Sequence, residues 1–347
     1  MQKHGNPFGT HRVLEPLGAL PQAALKVDND LSEIYENEIL CDVITLNIDS
    51  ASFTDIKDRA AGDEEKIKTI MLDIVGKYGK HKNPWTGSGG MFIGVVSKIG
   101  KALKGKVNLQ EGDRIASLVS LSLTPLCIDK IEQIHMQKDQ VDIKGQAVLF
   151  ESGIWAKLPA DIPPKLALAV LDVAGAPAQV DRLVKPGDTV TVIGARGKSG
   201  LLCCYQAKKR AGKNGRVIAV IHKELGREDV DNADFIDDVV IGQADQPVEL
   251  WKKINKLTDG VMCDVVISCV SRNDCEMGAI LITKQHGRVY YFSMATSFTK
   301  AALGAEGIGK DIEMIIGNGY CEGHADLTLD VIRENNYLKE LYMKRYC

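Results

Sequence analysis

The chain has 347 residues, 45% hydrophobic and 26% charged, with a net charge of −3. That length suits about two domains that each bury a core, and that charge gives no electrostatic reason to expect nucleic acid or an anionic membrane as partner. No apolar run approaches the ~18 residues of a membrane span, and the opening "MQKHGNPFGTHRVLEP" lacks the apolar core of a secretion signal, so the expected compartment is the cytoplasm.

Along the first 160 residues, short β-like runs dominate: "EILCDVITLNI", "MFIGVVSKIG", the turn and strand of "EGDRIASLVSL", and "GQAVLFESGIWAKLP". One amphipathic helix interrupts them. In "GDEEKIKTIMLDIVGKYGKH", Ile67, Ile70, Met71, Ile74 and Val75 recur at helical spacing behind an acidic first turn. From residue 161 the rhythm changes. "PPKLALAVLDVAGAPAQVDRLV" has a buried-helix pattern, and "KPGDTVTVIG" is a turn feeding a strand. A helix follows from Lys198 to Ala211, closed by Gly212. Then come strand "GRVIAVIH", β run "DFIDDVVIG", helix "VELWKKINKLT", strand "CDVVISCV", helix "CEMGAILITKQ", strand "GRVYYFSM" and a last β run "IEMIIG". Strands alternating with helices at this spacing predict an α/β, doubly wound parallel sheet, preceded by a mostly β domain. The nine cysteines show no C-x-x-C spacing, which argues against a disulfide framework and a local zinc knuckle.

The stretch "TVIGARGKSG" poses a choice between two phosphate-binding loops. A triphosphate loop needs a glycine five residues before its Gly-Lys, and that position is Val192, inside the strand. Gly194, Gly197 and Gly200 instead give G-x-x-G-x-x-G between a strand and a helix, the setting of a dinucleotide fingerprint. Lys198 and Ser199 fall in the first helical turn, where amide and hydroxyl reach a phosphate. Arg196 stands where the stricter fingerprint has its second glycine. An NAD site usually places an acidic residue at the end of the next strand. Here Ile221, His222 and Lys223 occupy that end, so NADP is favoured with NAD possible, and Glu224 remains an alternative ribose partner. Ser268 and Cys269, and Ser293 to Ala295, are expected at the carboxyl edge of the sheet, near the nicotinamide.

These motifs, with "LPADIPPKLALAVLDVAGAPAQVDRLVKPGDTVTVIGARGKSG" joining them and "IGVVSKIG" before "LQEGDRIASL", resemble the medium-chain dehydrogenases/reductases. The resemblance implies a GroES-like catalytic domain over residues 1–160, a Rossmann cofactor domain over 161–318, and a final segment, 319–347, returning to the catalytic domain. The zinc ligands of that superfamily's alcohol dehydrogenases are replaced: Ser52 stands for a cysteine in "SFTDI", Gly90 and Met91 for His and Glu in "GGMFIG", and Val170 falls near the third position. None of these ligates zinc, so no metal is expected. The edge run "DIEMIIG" resembles the strand through which superfamily members pair, which implies a homodimer or dimer of dimers.

More narrowly, "GTHRVLEPLGALPQAALKVDN", "TLNIDSASF" and "WTGSGGMFIGVVSKIG" are similar to the zinc-free 3,5-diaminohexanoate dehydrogenases of anaerobic lysine degradation. That resemblance implies oxidative deamination of the C3 amine of (3S,5S)-3,5-diaminohexanoate to 5-amino-3-oxohexanoate and ammonia, with hydride passing to NAD(P). Asp49 and Asp172 are then candidates for ammonium contact or general base, and Ser52 and Thr54 for hydrogen-bonding relays. The competing readings are a loop cap for Asp49, an arginine partner for Asp55, and a helix charge meeting a lysine for Asp172. His81, His135 and His324 have no partner spacing and are expected at the surface. The alternatives to the diamine reading are a zinc-free NADPH-dependent quinone/enone reductase and a nucleotide binder without turnover.

Overall fold

The computed structural model describes residues 3–293, 295–317 and 319–347. The chain divides into two compact units, one running to Leu168 and the other from Ala169 to Cys347. The first begins with a small antiparallel pair, β1 (Val13–Glu15) and β2 (Lys26–Val27). β3 (Glu38–Ile48), α1 (Ser50–Arg59) and α2 (Glu64–Tyr78) follow, then β4 (Gly90–Ile99), β5 (Arg114–Ser117), β6 (Leu126–His135), β7 (Gln140–Phe150) and β8 (Trp155–Lys157). β3 to β8 build one antiparallel sheet in the order β6-β7-β3-β4-β5-β8. β3 is a central strand: Ile39, Cys41, Val43, Leu46 and Ile48 are all buried in the core of the unit, the alternation shifting at a bulge between Val43 and Thr45. Beside it, the Arg12 guanidinium is buried and donates to both oxygens of Glu38, from Nε at 2.6 Å and Nη2 at 2.8 Å. Burial pushes the Glu38 carboxyl up, but the Arg12 and His11 hydrogen bonds outweigh it and hold the group below its ordinary range.

The expected amphipathic helix is α2. Its N-cap Asp63 accepts from the Glu65 and Lys66 amides at 2.9 and 3.1 Å, and Gly79 closes it at φ +72°. Ile67, Met71, Ile74 and Val75 are buried in the core of the unit, with Ile70 at its margin. α1 had no counterpart in the sequence reading. Its buried set is only Ser52, Phe53 and Ile56, too short and too polar a stripe to register as helical periodicity.

The second unit is approached through α3 (Pro164–Leu171), inside which the division falls. It continues with α4 (Gly175–Leu183), β9 (Thr189–Ile193), α5 (Lys198–Ala211), β10 (Arg216–Ile221), α6 (Glu228–Asp231), β11 (Asp238–Ile241), α7 (Pro247–Leu257), β12 (Cys263–Ser268), α8 (Glu276–Ile282), β13 (Thr283–Tyr291), α9 (Phe298–Gly307), β14 (Glu313–Ile316), α10 (His324–Glu334) and α11 (Asn336–Tyr346). The six strands are all parallel and ordered β11-β10-β9-β12-β13-β14. The order reverses at β9, which is the doubly wound pattern with its switch point at the end of that strand. The helix expected over "CEMGAILITKQ" stops at Ile282, because β-branched Thr283 turns into β13 while its hydroxyl caps the Ala279 carbonyl at 2.8 Å.

The final segment, expected to return to the first domain, packs on the second. Thr328 of α10 donates to the Ala174 carbonyl at 3.3 Å, and Arg345 of α11 donates to the Arg196 carbonyl at 2.9 Å. Apolar Leu329, Val331, Ile332, Leu338 and Leu341 give these two helices a buried face. Among the described residues, no helix is long and apolar enough to cross a membrane.

Candidate functional site

The end of β9 makes a cradle for a diphosphate. Gly194 turns the chain at φ +79°, where a Cβ would also come within 2.9 Å of Val270. At Gly200 a Cβ would sit 2.2 Å from the Gly194 carbonyl oxygen, so only glycine lets α5 pack this close to the turn. Gly197 is the N-cap of α5 and donates to Gly194 at 2.9 Å, which aims the positive end of the helix at the turn. In front of the cradle opens a cavity of about 390 Å³. Its walls are apolar, from Ile193, Val220, Ile221, Leu225 and Val270, and its rim carries Arg196, His222, Lys223, Asp245 and Arg272.

Of the cofactor residues expected from sequence, Gly194, Arg196, Gly197, His222, Lys223 and Cys269 border this cavity together. Lys198, Ser199, Gly200, Ser268 and Ser293 do not. Gly200 serves packing, Ser268 is buried in β12, and the Ser293 hydroxyl accepts from the Ala295 amide at 3.1 Å. Met294 lies outside the described residues. Ser199 is buried and favours the ionised form of the Cys269 thiol. Asp245 and Arg272, paired at 2.7 Å, were missed by sequence reasoning. The available signal was their position just after β11 and β12, at the sheet's carboxyl edge. Glu224, the alternative ribose partner, lies 3.4 Å from Arg227 and does not border the cavity.

α11 holds the loop from outside. Tyr342 donates to the Lys198 carbonyl, and the Lys198 ammonium lies 5.5 Å from the centre of the Tyr346 ring. Asp229 binds two guanidiniums, Arg196 through Nε at 2.9 Å and Arg345 of α11. Burial pushes the Asp229 carboxyl up, and the two arginines outweigh this and hold it below its ordinary range. The Lys198 ammonium donates to Asp172 at 2.8 Å, so Asp172 meets a nearby lysine rather than standing open.

The remaining candidates lie in the first unit, where α1 and the approach to β4 meet. Asp49 stands at the N-cap position of α1 without capping the helix amides, and its carboxylate accepts from the Gly89 amide at 3.0 Å. Asp55 pairs with Arg59 at 3.0 Å and accepts from Asn83 at 3.1 Å. Asn83 also donates to the Ser52 carbonyl at 3.2 Å, tying the segment after α2 onto α1. Ser52 is fully buried with no partner for its hydroxyl among the described residues, whereas Thr54 is exposed. Two positions apart on a helix, they face different ways and cannot relay one proton between them.

His81 corrects the expectation of a surface residue. It is fully buried, neither ring nitrogen has a partner among the described residues, and burial lowers its pKa to about 4. His324 is buried too, with its ring against Tyr320, while His135 is half-buried and bonds Asp142 at 2.7 Å. Among the described residues, no three His, Cys, Asp or Glu side chains are grouped to hold a metal ion.

Residues 11–159 match the family model described as the L-erythro-3,5-diaminohexanoate dehydrogenase N-terminal domain. Over 342 residues the chain is 55% identical to the L-erythro-3,5-diaminohexanoate dehydrogenase of Acetoanaerobium sticklandii, covering 99% of each. Over 344 residues it is 53% identical to the enzyme of the same name from Fusobacterium nucleatum, again covering 99% of each. Among solved structures it is similar to a mycobacterial protein complexed with NADPH (TM-score 0.57, 15% identity, 89% of this chain and 84% of that one). It is also similar to CurK enoyl reductase (TM-score 0.55, 15% identity, 86% and 79%). A zinc-dependent alcohol dehydrogenase from Streptococcus pneumonia matches comparably (TM-score 0.55, 17% identity, 89% and 83%). At these identities the structural likenesses establish the fold alone.

Proposed function

Because the chain belongs to the L-erythro-3,5-diaminohexanoate dehydrogenase family, we propose that it oxidatively deaminates the C3 amine of (3S,5S)-3,5-diaminohexanoate. The products are 5-amino-3-oxohexanoate and ammonia, and the hydride passes to a nicotinamide nucleotide. The observation that carries this reading is identity above 50% along essentially the whole chain, both domains included. The quinone and enoyl reductases, the alternative weighed from sequence, are matched in fold only, at 15–17% identity. We place the reaction in anaerobic lysine degradation, in the cytoplasm, and in a dimer or dimer of dimers paired through the edge strand β14.

The residues around the cradle fit a dinucleotide: the turn at Gly194 and Gly197 presents the N-terminus of α5 to the diphosphate, Gly200 lets that helix pack close behind the turn, and apolar walls suit the adenine. Bound there, the nucleotide supplies the hydride acceptor. We favour NADP, with NAD as the second cofactor. Lys223 stands at the cavity beside His222, Arg196 and Arg272 border it while paired with Asp229 and Asp245, and no carboxylate from the end of β10 borders it to exclude a 2′-phosphate. Lys198 and Ser199 act by holding the loop, through Asp172 and Cys269, more than by reaching phosphate with their side chains. Ser268 and Ser293 are assigned to support of the strand ends.

The C3 amine must lose a proton before hydride can leave C3, so the chain must supply an acceptor and hold the two ammonium heads. We assign the first-unit cluster to that work, with Asp49 as the carboxylate and Ser52 as the relay. The unpartnered Ser52 hydroxyl supports the assignment, since a buried hydroxyl without a partner is costly unless something fills its site. Thr54, exposed, could touch substrate but not share Ser52's proton. Asp172 would take a substrate ammonium only by exchanging it for Lys198.

The test is absorbance at the reduced-nicotinamide band with 3,5-diaminohexanoate and either NADP or NAD, with chelator present. Reduction accompanied by ammonia release, faster with NADP, is the expected result. Protein that binds NADPH yet reduces neither cofactor would defeat the diamine reading.

A further inference from the structure

Cys203 lies in the second turn of α5 and Cys269 directly after β12, and their sulfurs are 3.9 Å apart. Cys203 is fully buried, while Cys269 is half-buried and borders the cavity. Ser199 lies one helical turn before Cys203. The Cys203 contact, with Ser199, holds the Cys269 thiol below its ordinary pKa, whereas burial holds Cys203 well above. The asymmetry is that of an attacking thiol beside a resolving one. The site is also built against the glycine turn. The Cys269 amide donates to Ile193 at 2.9 Å, and a Cβ on Gly194 would stand 3.3 Å from the Cys269 carbonyl. A group attached to this sulfur would therefore occupy the cradle.

We propose that Cys269 is a thiol-modification site for low-molecular-weight disulfides, entered through the nucleotide cavity and resolved by Cys203. The Cys269 thiolate attacks one sulfur of the reagent, forming a mixed disulfide and releasing the first thiol. Cys203 then gives up its proton and attacks the Cys269 sulfur, forming the Cys203–Cys269 disulfide and releasing the second thiol. Two protein thiols are oxidised and one external disulfide is reduced. Modification and nucleotide binding exclude each other. This exclusion rests on the cavity being the nucleotide site.

The experiment uses glutathione disulfide on the full chain, peptide mapping by mass spectrometry, and calorimetric binding of NADPH and NADH. Expected are a Cys203–Cys269 link, loss of nucleotide binding, and recovery of both free thiols and binding on reduction with dithiothreitol. Cys203→Ser should stop at the mixed disulfide on Cys269, and Cys269→Ser should form neither. Cofactor at about ten times its dissociation constant should slow the reaction roughly tenfold, the factor by which it depletes the free site. Reaction at exposed Cys347 without reaction at Cys269 overturns the proposal, as does a link from Cys269 to Cys204. Equal rates with and without a bound nucleotide overturn the exclusion. Untreated protein that binds neither nucleotide instead overturns the nucleotide reading of the cavity, an outcome read before any thiol chemistry begins.

Discussion

Lys223 and Arg196 stand at the cavity rim with no carboxylate from β10 between them, which makes cofactor choice a property of a few side chains. A charge-assisted hydrogen bond to phosphate contributes about 1.5–3 kcal/mol, or roughly 10–100-fold. Lys223→Ala is therefore expected to lower kcat/KM for NADP by that factor and to leave NAD nearly unchanged, measured as paired steady-state assays. Gly200→Ala should abolish cofactor binding by calorimetry, because the added methyl lands 2.2 Å from a backbone oxygen that cannot move without opening the turn. His81 gives a pH signature. Folded, it titrates at about 4 because it is buried; unfolded, near 6.5. The unfolded chain thus binds the extra proton first, so stability is full above about pH 6.5 and falls as pH drops toward 4, by at most about 3 kcal/mol. Denaturant titrations across that window should show the fall, and His81→Phe should flatten it. The glycine spacing and the basic residues after β10 were legible in sequence, since both are local. The burial of His81 was not, because nothing in its neighbours along the chain says what encloses it.

Among the elements, α2 was readable because its apolar stripe, acidic start and glycine stop all lie within twenty residues and agree. Replacing Asp63 by Ala removes an acceptor for two amides and should cost about 1 kcal/mol. Ile67→Ala in the same helix should cost about 2–5 kcal/mol by opening a cavity in a core that buries it completely. The denaturant midpoint separates the two. Arg12→Met is the sharper case: it leaves Glu38 buried with its charge and without its principal partner, at about 3–5 kcal/mol. That pair joins residues 26 apart, and no periodicity announces it. α1 went unread for the opposite reason, since a ten-residue helix with three buried positions gives too little pattern.

At the scale of the molecule, β14 ends the parallel sheet with one edge unpaired among the described strands, which is the basis for expecting assembly through it. Sedimentation should give at least twice the chain mass, and Ile316→Pro at the exposed end of β14 should shift the population toward monomer. The C-terminal segment was assigned to the wrong partner by resemblance. Its two helices were not read from sequence, and nothing in its local pattern says which surface they cover. The sequence by itself determined the alternation of strands and helices and the glycine cradle, both properties of residues near one another in the chain. Only the tertiary structure decided that Lys198 takes up Asp172 across 26 residues, that Cys269 meets Cys203 across 66, and that Arg345 holds Arg196 across 149. Such pairings follow from how packed elements bring remote side chains together, and a linear pattern carries no distance between them.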